Sequence, residues 1–123
     1  MYKRQVALGA FGAHALKSRL APEMLAVFEV GVRYHVYHAL ALFVVGWLRT
    51  LRPGAALSMS ATDNAATILD VAGWCFAAGI LLFSGSLYAY ALTGSKALVM
   101  ITPLGGLLFI VGWAGVLIGA RRV

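Results

Sequence analysis

Charge divides this chain before any motif does. From Val71 to Leu92 there are 22 consecutive uncharged residues. As an α-helix that run is about 33 Å long, enough to cross the roughly 30 Å hydrocarbon core of a bilayer. Asp70 precedes it and Thr93-Gly94-Ser95-Lys96 follows; glycine and lysine suit a helix C-terminus. Ser60-Ala61-Thr62-Asp63 has the pattern of a capping box, so the helix is expected over 61–93. Ala97 to Ala120 is a second uncharged run, 24 residues long, with Pro103 inside it. Either the helix over 97–120 kinks at the proline, or Thr102 caps a helix whose first residue is Pro103; the second version is preferred.

A third span is expected over Tyr34–Leu51, centred on Ala39–Leu48. Its helix should begin near Pro22-Glu23, because proline is tolerated in a first turn. Residues 22–51 then form an amphipathic lead-in followed by a span. Pro53-Gly54 marks the loop between Arg52 and Thr62. Val6–Ala13 is apolar but only eight residues long, about 12 Å as a helix and too short to span. Two readings exist: a signal peptide ending at Ala13-His14-Ala15, or a first transmembrane helix cut down to residues 6–16. The expectation is the truncated helix, preceded by a non-native leader at residues 1–5, all within one membrane domain of residues 1–123.

Composition agrees with a membrane solvent. Hydrophobic residues make up 62% of the chain and charged residues 11%, against about 25% charged in soluble domains. The net charge is +6, yet the basic residues sit outside or at the ends of the apolar runs. They form no basic stripe, so nucleic acid is not an expected partner; basic flanks on apolar spans are what a bilayer selects. Excluding Lys3 and Arg4, the flanking charges divide evenly between the two sides, so they do not orient the chain. The single cysteine, Cys75, excludes an intrachain disulfide and reads as a small packing residue.

Five blocks occur in one order: Gly9-Ala-Phe-Gly-Ala-His14-Ala-Leu16; Phe28-Glu29 with Tyr34-His35 and His38-Ala39-Leu40; Gly79 to Tyr88; Leu92-Thr-Gly94; and Ile101 to Gly106 with Gly112-Trp113. Together they resemble the domain of unknown function 423 family, the YgdD-like and transmembrane-protein-256-like small membrane proteins. The match covers about residues 6 to 120. The resemblance implies a four-helix, multi-pass protein of the bacterial plasma (inner) membrane and brings no established activity. Members carry a full first helix ahead of the Gly-Ala-His segment, which is where this chain departs from the pattern.

Ionisable groups concentrate in one region: His14, Glu29, Arg33, His35 and His38. Such groups are expensive at membrane depth and are candidate functional residues by default. Glu29 and Arg33 lie about 40° apart on a helix, in the favourable acid-first order for an ion pair. His35 and His38 lie about 60° apart and share a face, within the first turns of the expected span, whereas Glu29 and His38 are about 180° apart. Three readings follow. His14, His35 and His38 offer imidazoles for a metal, and so for a metal-dependent membrane enzyme. The cluster offers a proton or small-solute pathway. Or these groups are structural, as a local ion pair, interfacial anchors and interhelix hydrogen bonds.

The glycines favour the structural reading. Gly105, Gly112 and Gly119 recur every seven residues, Gly115 and Gly119 form a small-xxx-small pair, and Gly85 with Ala78 and Ala89 gives the preceding helix a similar strip. Trp47, Trp74 and Trp113 fit interfacial anchors. No nucleophile elbow, phosphate loop or paired intramembrane aspartates appear. The expectation is therefore an all-α integral membrane bundle of three transmembrane helices, the truncated first helix and the amphipathic lead-in. It is expected to be non-enzymatic, without cofactor or metal. It should act by helix packing or partner binding in the lipid bilayer, with a second copy or another membrane protein as the partner class.

Overall fold

A computed structural model describes residues 16, 18–51 and 64–121. The expectations that fall on residues 1–15 and 52–63 lie outside the described residues: the leader, nearly all of the shortened first helix, His14, the Pro53-Gly54 loop and the capping box. The described residues are helical nearly throughout, with no strand among them. Helix α1 runs Pro22–Thr50 and α2 Asn64–Gly79. A π-helical turn, Ile80–Ser84, leads without a break into α3, Gly85–Thr93. A 3-10 segment, Lys96–Ile101, leads into α4, Thr102–Ala120.

The ends of these helices have local causes. Proline occupies the first turn of α1, where its missing N–H costs nothing. Gly94 ends α3 in the left-handed region at φ 70°, and its N–H bonds the Tyr90 carbonyl, as helix-terminating glycines do. Pro103 stands in the first turn of α4, but Thr102 is not its cap. The Thr102 hydroxyl reaches across to Ser86 Oγ at 2.7 Å instead. The residues ahead of it, Lys96–Ile101, tighten into the 3-10 segment rather than continuing as α-helix.

Among the described residues two stretches, Asn64–Thr93 and Lys96–Ala120, are long and apolar enough to cross a membrane. That is one fewer than the sequence suggests. Helix α1 has ample length at 29 residues, but its polar residues, including His35 and His38, dilute its apolarity. The outer surface of the helices is hydrophobic: Phe43 and Trp74 are each 77% exposed and Leu81 74%. In water each such side chain would forgo about 1.5–3 kcal/mol of burial; lipid removes that penalty.

The Asn64–Thr93 helix and α4 pack antiparallel. Leu69, Ala72, Phe76 and Phe83 stand against Gly119, Gly115, Gly112 and Gly105, while Gly79 stands against Phe109. Steps of three, four or seven residues run in opposite directions along the two helices. This is close backbone approach of the kind small residues permit. Helix α1 lies along the same helix, also antiparallel. Arg49 pairs with Asp70 at 3.1 Å, and Gly31 abuts Tyr88 and Leu87. The core between them is Ala41, Val45, Leu48, Leu69, Ala72, Phe76, Phe109 and Val116.

Candidate functional site

Among the described members of the ionisable cluster, His38 is the buried one, 5% exposed. Its place on α1 follows from the helical period: Gly31, His38, Ala41, Val45 and Leu48 form the buried stripe. The ring stacks on Phe109, with centroids 3.4 Å apart and planes within 7°. Phe76 and Trp113 close two further sides.

Both ring nitrogens of His38 are engaged. Nδ1 lies 2.7 Å from the Tyr34 carbonyl oxygen, and Nε2 lies 3.3 Å from the Trp113 indole nitrogen. A carbonyl can only accept and an indole N–H can only donate. The partners therefore assign the roles: Nδ1–H donates to Tyr34, and Nε2 accepts from Trp113. That pattern describes a neutral imidazole with its proton on Nδ1.

The other described members of the cluster point elsewhere. His35 is exposed, and its Nδ1 lies 3.2 Å from the Tyr88 hydroxyl on α3. The two histidines thus diverge: His38 turns toward α2 and α4, and His35 toward α3. Glu29 and Arg33 are exposed, and the expected ion pair between them does not form. Among the described residues the salt bridge is Arg49–Asp70. No group of three or more His, Cys, Asp or Glu side chains converges as a metal site among the described residues. His14 lies outside them.

The glycines separate as well. A methyl group built at Gly112 would sit 2.6 Å from the Phe76 ring, one at Gly119 2.6 Å from Leu69, and one at Gly115 3.0 Å from the Ala72 methyl. At Gly105 it would collide with the Phe83 backbone. Gly85 meets nothing within 4 Å and is not a packing glycine toward any described neighbour. Gly31 and Gly79, which fall outside the seven-residue recurrence, do pack: each supports an aromatic ring, Tyr88 and Phe109 respectively. Trp113 is more than the interfacial anchor its sequence suggests, because its N–H belongs to His38. The aromatic residues at 109 and 113, one helical turn apart, are the available sequence signal for that pair.

Next to His38, an open groove of about 640 Å³ runs between α1 and α4, bounded by Tyr34, Phe83, Phe109 and Trp113. Elsewhere in the interior, Ser84 is fully buried in the π turn, and its hydroxyl has no hydrogen-bond partner among the described residues.

Residues 8–106 match the family model described as "Protein of unknown function (DUF423)". The chain belongs to the DUF423 family. Similar proteins carry the name UPF0382 membrane protein. YwdK of Bacillus subtilis is 45% identical over 117 residues, which is 95% of this chain and 86% of the relative. A UPF0382 membrane protein of Staphylococcus aureus is 42% identical, covering 95% and 85%. One from Haemophilus influenzae is 41% identical, covering 95% and 84%. No solved structure matches this DUF423 chain. Family and apolar helices together make it a membrane protein with transmembrane helices.

Proposed function

We propose that this DUF423 protein is a multi-pass protein of the bacterial plasma membrane that acts through helix packing or partner binding rather than catalysis. The observation that carries this reading is His38: both nitrogens are taken by protein partners and the ring is enclosed by Phe76, Phe109 and Trp113. A histidine that shuttles protons or holds a metal needs a free nitrogen. In this reading α1 is a third span. Its 29 residues reach about 43 Å, and it runs beside the Asn64–Thr93 helix from Asp70 to Tyr88.

A second reading, a proton or small-solute pathway through His14, Glu29, Arg33, His35 and His38, draws on one observation: the groove beside His38 and Tyr34. Proteoliposomes loaded with a pH-sensitive dye separate the two. Wild type and His38→Ala should both stay at the background proton leak. A wild-type flux abolished by His38→Ala would establish the pathway and overturn the packing role.

A further inference from the structure

Helix α1 has a second side with its own logic. Opposite the buried stripe lie Glu29, Arg33, Val36, Leu40, Phe43 and Trp47, and every one of them is exposed. Glu29 and Arg33 are one turn apart on this side, and neither has an ion-pair partner among the described residues. Their depth is set by their neighbours. Gly31, midway between them, abuts Leu87 and Tyr88, and Tyr34 packs on Phe83. Gly31 is therefore level with Tyr88, about 8 Å inside the Thr93 end of the Asn64–Thr93 helix. That helix has 30 residues and is about 45 Å long, so this level lies at the edge of the roughly 30 Å hydrocarbon core. There charged side chains still gain by pairing with one another or facing protein rather than lipid.

We infer that this face of α1 is a self-association surface whose occupant is the same face of a second copy. The inference rests on α1 being a membrane span. The charge pattern is self-complementary. Two copies related by a two-fold axis along the membrane normal place their α1 helices parallel, and such an isologous contact repeats every interaction twice. Glu29 of one copy then lies four residues, about 6 Å along the axis, from Arg33 of the other. The long guanidinium arm covers that offset, so each carboxylate gains an arginine and each arginine a carboxylate. Val36, Leu40 and Phe43 continue the same face as apolar contact surface.

Charge reversal tests this on the full chain. Two differently tagged copies are co-expressed in membranes, and one tag is used to capture the other after solubilisation. Wild type should self-capture. Glu29→Arg, which presents two positive charges, and Arg33→Glu, which presents two negative charges, should each lose self-capture. Co-expressing the two variants should restore it, because each now complements the other. Wild type that fails to self-capture, single variants that self-capture undiminished, or a mixed pair that does not recover would each overturn the proposal.

A second measurement leaves the charges intact. In a Cys75→Ala background, Leu40→Cys should form an oxidised dimer, and Leu104→Cys on α4 should remain monomeric. A Leu40→Cys chain that stays monomeric while remaining shielded from a membrane-impermeant maleimide refutes the dimer alone. If the maleimide labels it, α1 is not embedded and the reading of α1 as a span fails with it.

Discussion

The Trp113 indole N–H points at His38 Nε2 across 3.3 Å, joining residues 75 positions apart in the chain. This bond ties α4 to α1, two helices that otherwise meet chiefly through the Phe109 ring and leave a groove between them. Trp113→Phe keeps an aromatic ring but removes the donor, leaving a buried acceptor unpaired. The expected cost is about 1–3 kcal/mol, read as a lower midpoint in detergent unfolding. In a double-mutant cycle with His38→Phe the two losses should be less than additive, because the second substitution removes a bond already gone. Strict additivity would show that the bond contributes nothing.

The glycine stripe gives a contrast within one residue type. Gly112→Ala places a methyl 2.6 Å from the Phe76 ring and should destabilise by about 1–3 kcal/mol, as overpacking does. Gly119→Ala should behave similarly against Leu69. Gly85→Ala meets no atom of the described residues within 4 Å and should be neutral or stabilising by up to about 1 kcal/mol through helix propensity. Equal effects at positions 85 and 112 would contradict this packing.

Ser84 supplies a prediction of opposite sign. Its hydroxyl is fully buried inside the π turn, without a partner among the described residues. Ser84→Ala removes the desolvation cost and should raise thermal stability, by about 1 kcal/mol or more. A clear fall in melting temperature would mean the hydroxyl is satisfied in the native protein.

The Arg49–Asp70 pair joins the C-terminal end of α1 to α2 with both side chains partly exposed. Partly solvated pairs contribute little, so Asp70→Asn should cost less than about 1 kcal/mol. The measurement is the same unfolding assay, and a loss as large as that of Trp113→Phe would give the pair a larger role than its exposure allows.

Much of the architecture was legible in the residues alone. The uncharged runs from Val71 and from Ala97 dictate apolar helices, because only lipid or a large core accepts such surfaces. Pro22, Gly94 and Pro103 punctuate them through backbone constraints that act locally. The seven-residue recurrence of Gly105, Gly112 and Gly119 marks a smooth face before any partner is visible. The pairing was not legible in this way. His35 and His38 share a helical face by spacing, yet one ends 5% exposed in an aromatic enclosure and the other stands exposed beside Tyr88: His38 is the first, His35 the second. Gly85 and Gly112 look alike in a small-residue strip, yet among the described residues one meets nothing and the other a phenyl ring. Helical periodicity fixes angles around one axis, which is why the helices themselves could be read from the chain. Contacts between residues as distant as 38 and 113 depend on how separate helices are set against each other, and only the tertiary structure decides that.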